Sequence, residues 1–149
     1  MLKYMERRRF LIRPIGVIRS PYKKRIDAPR QGRSSKVLSE VQVFPEFAAG
    51  LDGMERCQYL HVLWWADRAE RDLLHVVPPG DTEERGVFCT RSPARPNPLG
   101  LSLVRVVERN GTSIWVHWLD ALDGTPVLDL KPYSSGIDCI KNEEMSADC

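Results

Sequence analysis

Leu101-Ser102-Leu103-Val104-Arg105-Val106-Val107-Glu108 runs through Arg109-Asn110-Gly111 into Thr112-Ser113-Ile114-Trp115-Val116-His117-Trp118-Leu119. Both flanks are rich in β-branched and aromatic residues, and the Asn-Gly between them is the strongest short-range signal for a type I′ hairpin. Two antiparallel strands are therefore expected, Leu101 to Glu108 and Thr112 to Leu119. Downstream, Leu122-Asp123-Gly124-Thr125-Pro126 reads as a turn into a strand from Val127 to Lys131. Upstream, Tyr59 to Ala66 is a nearly continuous apolar run, as expected of a strand that is central in a sheet or covered by a second subunit. His61 within it reads as a satisfied core histidine.

The same signals extend to the rest of the chain. Arg13 to Arg19 is a strand ended by Ser20-Pro21-Tyr22, Val37 to Val43 alternates as another, and Gly86 to Cys89 is a further one. Pro45 to Gly50 reads as one helical turn and Ala69 to His75 as a short helix. Six or seven short strands with short helices predict a mainly β fold, a compact barrel or sandwich. Alternating β and α units with a glycine-rich first turn are absent, which disfavours a Rossmann-type domain.

At 149 residues without internal repeats, the chain fits one domain with a self-sufficient core. No apolar run approaches the ~20 residues needed to span a bilayer, and Met1 to Phe10 is charged, so a soluble cytoplasmic protein without a signal peptide is expected. Cys57, Cys89, Cys139 and Cys149 lack CxxC spacing, and His61, His75 and His117 are scattered. That pattern argues against both a metal site and disulfides. Residues 1–36 hold twelve Lys or Arg against Glu6 and Asp27, a balance of +10, so the rest carries −8 of the overall +2. A segment including Arg7-Arg8-Arg9 and Lys23-Lys24-Arg25 has the density that phosphate-backbone binding needs, although a solvated edge would read the same way.

Three segments can carry chemistry. Thr90-Arg91-Ser92-Pro93-Ala94-Arg95-Pro96-Asn97-Pro98-Leu99-Gly100-Leu101-Ser102 has three prolines within six residues, which precludes a regular helix or central strand and leaves a stiff loop with two arginines. It is either a rigid surface turn or a frame holding carbonyls and guanidinium forks for a cationic or amphoteric ligand. No GxGxxG or GxxxxGK[ST] phosphate cradle occurs. In the second segment the Asp123 to Pro126 turn offers carboxylate and carbonyl acceptors, and strand alternation puts Asp129 and Lys131 on one face, followed by Tyr133. An ordinary ion pair beside a solvated turn fits that pattern too. The third is Pro14-Ile15-Gly16-Val17-Ile18-Arg19-Ser20-Pro21-Tyr22, continuing to Ala28-Pro29-Arg30-Gln31-Gly32. There Arg30 is either simply exposed or aimed at an anionic group.

Together these motifs, with Gly-Val-Phe-Cys-Thr-Arg-Ser-Pro-Ala-Arg-Pro-Asn-Pro-Leu-Gly and Asp-Gly-Thr-Pro-Val-Leu-Asp-Leu-Lys-Pro-Tyr in the same order, resemble the TsaA-like (YaeB-like) family from about Arg13 to Asp138. The resemblance implies a compact β-barrel that binds S-adenosylmethionine near the interface of a homodimer, in a family that includes the tRNA N6-threonylcarbamoyladenosine methyltransferase. It divides the chain into a basic extension (1–12), the S-adenosylmethionine-binding domain (13–138) and a tail (139–149). Carried over residue by residue, cofactor contacts fall on Pro29, Arg30, Gln31, Asp67, Arg68, Arg91, Leu101, Asp123, Gly124, Thr125 and Pro126. At Asp67 many relatives have histidine. Longer relatives resemble this domain followed by a smaller one absent here.

The implied ligand carries a sulfonium, an ammonium and a carboxylate but no phosphate, which suits carbonyls and arginine forks. Methyl transfer is an in-line displacement that depends mainly on positioning. The carbamoylated N6 must also lose a proton, and Asp129, Lys131 and Tyr133 are the candidate catalytic residues. A tRNA methyltransferase, a methyltransferase of a smaller acceptor and a cofactor-binding sensor all fit. So does an RNA-binding barrel in which Trp64, Trp65, Trp115 and Trp118 stack bases, although core packing also accounts for those tryptophans.

Overall fold

The computed structural model describes residues 9–140. Eight strands form: β1 (Gly16–Arg19), β2 (Ser39–Val43), β3 (Tyr59–Trp65), β4 (His75–Val76), β5 (Arg85–Gly86), β6 (Leu99–Asn110), β7 (Ser113–His117) and β8 (Pro126–Pro132), with one short helix, α1 (Ser135–Asp138). Six of them close a barrel in the order β1-β2-β7-β6-β3-β8, every neighbouring pair antiparallel, while β4 and β5 make a separate two-stranded ribbon. The expected mainly β barrel with short helical turns is what the chain adopts. Alternation explains its core. Ile18, Val41, Val62, Val104, Ile114, Val116 and Val127, at least one from each barrel strand, are no more than 1% exposed. Each buried aliphatic side chain of this kind contributes about 1.5–3 kcal/mol.

The hairpin forms between β6 and β7, but Asn110 stays in its strand opposite Ser113, so Gly111 and Thr112 make the two-residue loop. Gly111 has φ +59° and Thr112 does not share that sign, the arrangement of a II′ rather than the expected I′ turn. Moving the glycine to the first loop position is enough to change the type. Other expectations shift for local reasons. Ala69 to His75 forms no helix: Asp72 takes φ +64°, which a helix cannot accommodate, and His75 belongs to β4. Gly86 to Cys89 is only partly strand, because the chain leaves β5 at Gly86 for a 3₁₀ turn at Val87–Cys89. β6 starts at Leu99, three residues before the proline-rich segment was expected to end. Pro98 can precede it because its carbonyl, which proline keeps, accepts the Ala66 N–H at 2.8 Å.

His61 is not a core histidine. It points outward from β3, its Nε2 3.4 Å from Asp138 Oδ2 and its buried Nδ1 without a partner among the described residues. The helical turn expected over Pro45 to Gly50 is a seven-residue 3₁₀ helix, Pro45–Leu51, with proline first. No helix among the described residues is long and apolar enough to cross a membrane. Cys57, Cys89 and Cys139 form no disulfide with one another, whereas Cys149, Arg7 and Arg8 lie outside the described residues.

Candidate functional site

β3 is the hub of the candidate site because it pairs with β6 on one side and β8 on the other. A bulge on β8 shifts the register so that Trp64 faces Val127 while Leu63 faces Asp129, leaving Leu128 as the extra residue. The consequence is a transverse row, Leu101 on β6, Leu63 on β3 and Asp129 on β8. At the usual ~4.8 Å strand spacing, Leu101 and Asp129 are roughly 10 Å apart on the outer face. The next row on that face is Leu103, His61 and Lys131.

Where β3 ends, Asp67 and Arg68 turn over the start of β8. The Arg68 guanidinium donates to Thr125 Oγ1 at 2.9 Å and to Asp67 Oδ1 at 3.3 Å. Thr125 is only 2% exposed, so this is a buried hydroxyl held by a half-exposed cation. The turn itself is tied to the end of β1. Asp123 N–H donates to the Tyr22 carbonyl at 2.8 Å, Gly124 N–H to that of Ile18 at 2.8 Å, and Ile18 N–H to that of Thr125 at 2.9 Å. Gly124 takes φ +79°, which explains the glycine.

Both Asp123 oxygens are engaged within the chain, Oδ1 by the Ser20 N–H at 3.1 Å and Oδ2 by Lys23 Nζ at 2.6 Å. The Lys23 hydrogen bond, followed by that from Ser20, holds its carboxyl below the ordinary carboxylate value. Asp123 is thus a latch for the turn, and the free acceptors are backbone carbonyls.

The proline-rich loop is pinned by Arg95, whose Nη2 donates to the carbonyls of Val87 at 2.8 Å and Thr90 at 3.2 Å. Arg91 is left to reach the Leu101 carbonyl at 3.3 Å, which brings two of the expected residues together. Leu99 and Leu101 stand 44% and 51% exposed beside it, an apolar surface next to a guanidinium. A relay runs beneath the loop. Trp64 Nε1 donates to Ser102 Oγ at 3.0 Å, and Ser102 Oγ donates to Asp120 Oδ1 at 2.9 Å. Gly100 makes room for that indole, since a Cβ there would lie 2.1 Å from the ring.

Asp129 and Lys131 form the expected same-face ion pair at 2.9 Å. Tyr133 packs near His61, with ring centroids 5.9 Å apart. Arg30 behaves differently. It extends to the Pro79 carbonyl in the loop before β5, while Pro29 is half-buried and the Gln31 carbonyl accepts Ser34 Oγ at 2.6 Å. The chain therefore joins Arg68 to Thr125 and Arg91 to Leu101 directly, and brings Asp129 into register with Leu101, but Arg30 touches neither pair. Sequence reasoning read Arg95 as one of two loop arginines without its role of pinning the loop, and missed the Trp64–Ser102–Asp120 relay. No local signal marked the relay, because Ser102 is buried only through the pairing of β6 with β3.

Residues 17–139 match the family of the tRNA-methyltransferase O N-terminal domain. A protein of Archaeoglobus fulgidus named an S-adenosyl-L-methionine-binding protein is 54% identical over 134 residues, which cover 90% of this chain and 96% of that one. A crystal structure of TrmO from Pseudomonas aeruginosa superposes with a TM-score of 0.79 at 30% identity, covering 96% of this chain and 63% of that one. A second crystal structure of TrmO gives a TM-score of 0.77 at 33% identity over 91% of this chain and 62% of the other. The chain thus spans less than two thirds of the crystallised TrmO chains. Matched over most of its length in sequence and in barrel architecture, the chain belongs to the family of the tRNA-methyltransferase O N-terminal domain.

Proposed function

We propose that this chain binds S-adenosylmethionine and transfers its methyl group to the N6 nitrogen of N6-threonylcarbamoyladenosine at position 37 of tRNA, next to the anticodon. The observation that carries the reading is the junction of Arg68 with buried Thr125 at the start of β8, together with the Arg91–Leu101 contact in the row that Leu101 and Asp129 share across Leu63. Those are four of the segments on which the family's cofactor contacts are expected. The donor set suits such a ligand. Guanidinium groups of Arg68 and Arg91 would meet a carboxylate, backbone carbonyls an ammonium, and exposed Leu99 and Leu101 a purine face. Pro29, Arg30 and Gln31 would close the site if their loop moves or a second subunit contributes, and we assign a homodimer on that basis.

When bound, S-adenosylmethionine supplies an electrophilic methyl group on sulfur. To accept the methyl group the N6 nitrogen would have to give up its proton, and we assign that proton to the Asp129 carboxylate, which Lys131 pairs at 2.9 Å. Tyr133 would orient the acceptor. Residues 13–138 would carry this function in the cytoplasm, where tRNA is modified. A second reading, binding of the same cofactor for sensing or for methylating a small acceptor, is favoured by the near-full-length relative named only for S-adenosyl-L-methionine binding. Labelled S-adenosylmethionine incubated with the chain and with tRNA bearing or lacking the threonylcarbamoyl group decides between them. Label entering only the modified tRNA supports the first reading, and cofactor binding with no labelled tRNA overturns it.

A further inference from the structure

Away from that site, Tyr59 on β3, Arg105 on β6 and His117 on β7 stand side by side in register. Their chain neighbours Leu60, Val104 and Val116 are buried, so alternation sends all three outward. Lys36 adjoins them, because His117 Nδ1 lies 3.2 Å from the Val37 carbonyl. Together with Trp118 these residues line a groove of about 420 Å³. Its wall is aromatic, with the Tyr59 and Trp118 rings stacked 5.8 Å apart at 17° and the Arg33 guanidinium 4.8 Å from the Trp118 centroid. Arg33, Lys36 and Arg105 are exposed, and none of them is ion-paired among the described residues.

The groove is built rather than incidental. Trp118 has φ +75°, a backbone conformation that a bulky aromatic residue adopts only when its surroundings impose it. A Cβ on Gly32 would lie 1.9 Å from the Trp118 carbonyl oxygen, so the 3₁₀ turn Gly32–Ser34 that presents Arg33 presses directly on the Trp118 backbone. None of these residues is engaged at the Arg68–Thr125 junction.

We propose that this groove binds a single-stranded stretch of RNA, with a base against the Tyr59–Trp118 stack and phosphates on Arg33, Lys36 and Arg105. Cations alone would hold any polyanion and aromatic rings alone any flat molecule. Their alternation across adjacent strands matches the alternation of base and phosphate along a nucleic-acid strand. The choice of RNA rests on the tRNA reading above, and Arg33, three residues beyond Arg30 on one loop, would place that strand beside the cofactor contacts.

The test uses the full chain, without cofactor, and a fluorescein-labelled single-stranded RNA decamer followed by anisotropy, with inorganic polyphosphate as a probe for charge alone. Trp118→Gly removes the ring yet suits the positive φ, and is expected to weaken RNA binding about tenfold while leaving polyphosphate binding unchanged. Arg33→Ala on the exposed turn is an independent second variant and should lower affinity for both probes. Lys36→Ala combined with Arg105→Ala should flatten the slope of log affinity against log salt by about 1.4. RNA binding untouched by Trp118→Gly, or equal losses for RNA and polyphosphate, overturns the groove. Cofactor uptake and methyl transfer are read separately: wild-type transfer with Trp118-independent RNA binding rejects the groove alone, and Trp118-dependent RNA binding without any transfer rejects the enzyme reading alone.

Discussion

Gly100→Ala sets two forces of opposite sign against each other. Gly100 lies inside β6, and in a strand interior alanine normally gains about 0.5–1 kcal/mol over glycine through backbone entropy. Propensity alone therefore predicts a more stable protein. The structure predicts the reverse, because the new methyl would lie 2.1 Å from the Trp64 ring, and that ring is packed against the core and held through Nε1 to Ser102 Oγ at 3.0 Å. Overpacking of this kind costs about 1–3 kcal/mol, and losing the indole hydrogen bond adds about 1 kcal/mol. The net expectation is destabilisation by about 2 kcal/mol, or a Tm lower by about 6 °C for a chain of this size. Urea unfolding and calorimetry of the variant read this directly, and Trp64→Leu in combination supplies the cycle. With the indole gone, Gly100→Ala should become neutral or stabilising. A Gly100→Ala protein as stable as the wild type, or an unchanged cost in the Trp64→Leu background, refutes the clash.

Thr125→Val keeps the shape but removes the acceptor for Arg68. Because Arg68 is partly solvated the loss is about 1 kcal/mol, so S-adenosylmethionine should bind roughly fivefold more weakly by calorimetry, and unchanged affinity would reject Thr125 as the support for Arg68. Asp129→Asn should leave cofactor affinity intact and slow methyl transfer roughly 10²-fold, and a wild-type rate would remove Asp129 from the chemistry. Asp123 has a folded pKa below its unfolded value, so its contribution is present above the unfolded pKa near ~3.9 and is lost as pH falls through the folded value. The difference in Tm between wild type and Asp123→Asn should accordingly be largest near about pH 6 and shrink in strong acid. A difference independent of pH would show that the Lys23 latch contributes nothing.

The barrel was readable because its strands announce themselves locally. Tyr59 to Trp65 and Ser113 to His117 are runs whose composition tolerates little else, and Asn110-Gly111 marks their partner's return. What failed depended on backbone dihedrals that side-chain composition does not encode, such as the positive φ of Asp72 that forbids the helix expected before β4. The pairing of Arg68 with Thr125 was equally invisible, because it joins residues 57 positions apart through the barrel's closure. Asp123 was identified correctly as a turn residue, yet its carboxylate faces Ser20 and Lys23, and only the register of β1 against β8 reveals that. Trp118 lay near the end of the segment Thr112 to Leu119 that reads as a single strand. Nothing in its neighbours Leu119 and His117 announces that the chain reverses hand there.

Closure of the six strands gives each of them two neighbours, with β1 and β8 meeting at Gly16–Val127 and Val17–Pro126. Anything that associates with the paired part of the barrel wall, whether a nucleic acid or another protein, must be recognised through side chains and loops. The β4–β5 ribbon has no such protection among the described residues. Growth of the sheet by an extraneous peptide would begin there, on strands that take no part in the pairs β3 makes with β6 and β8.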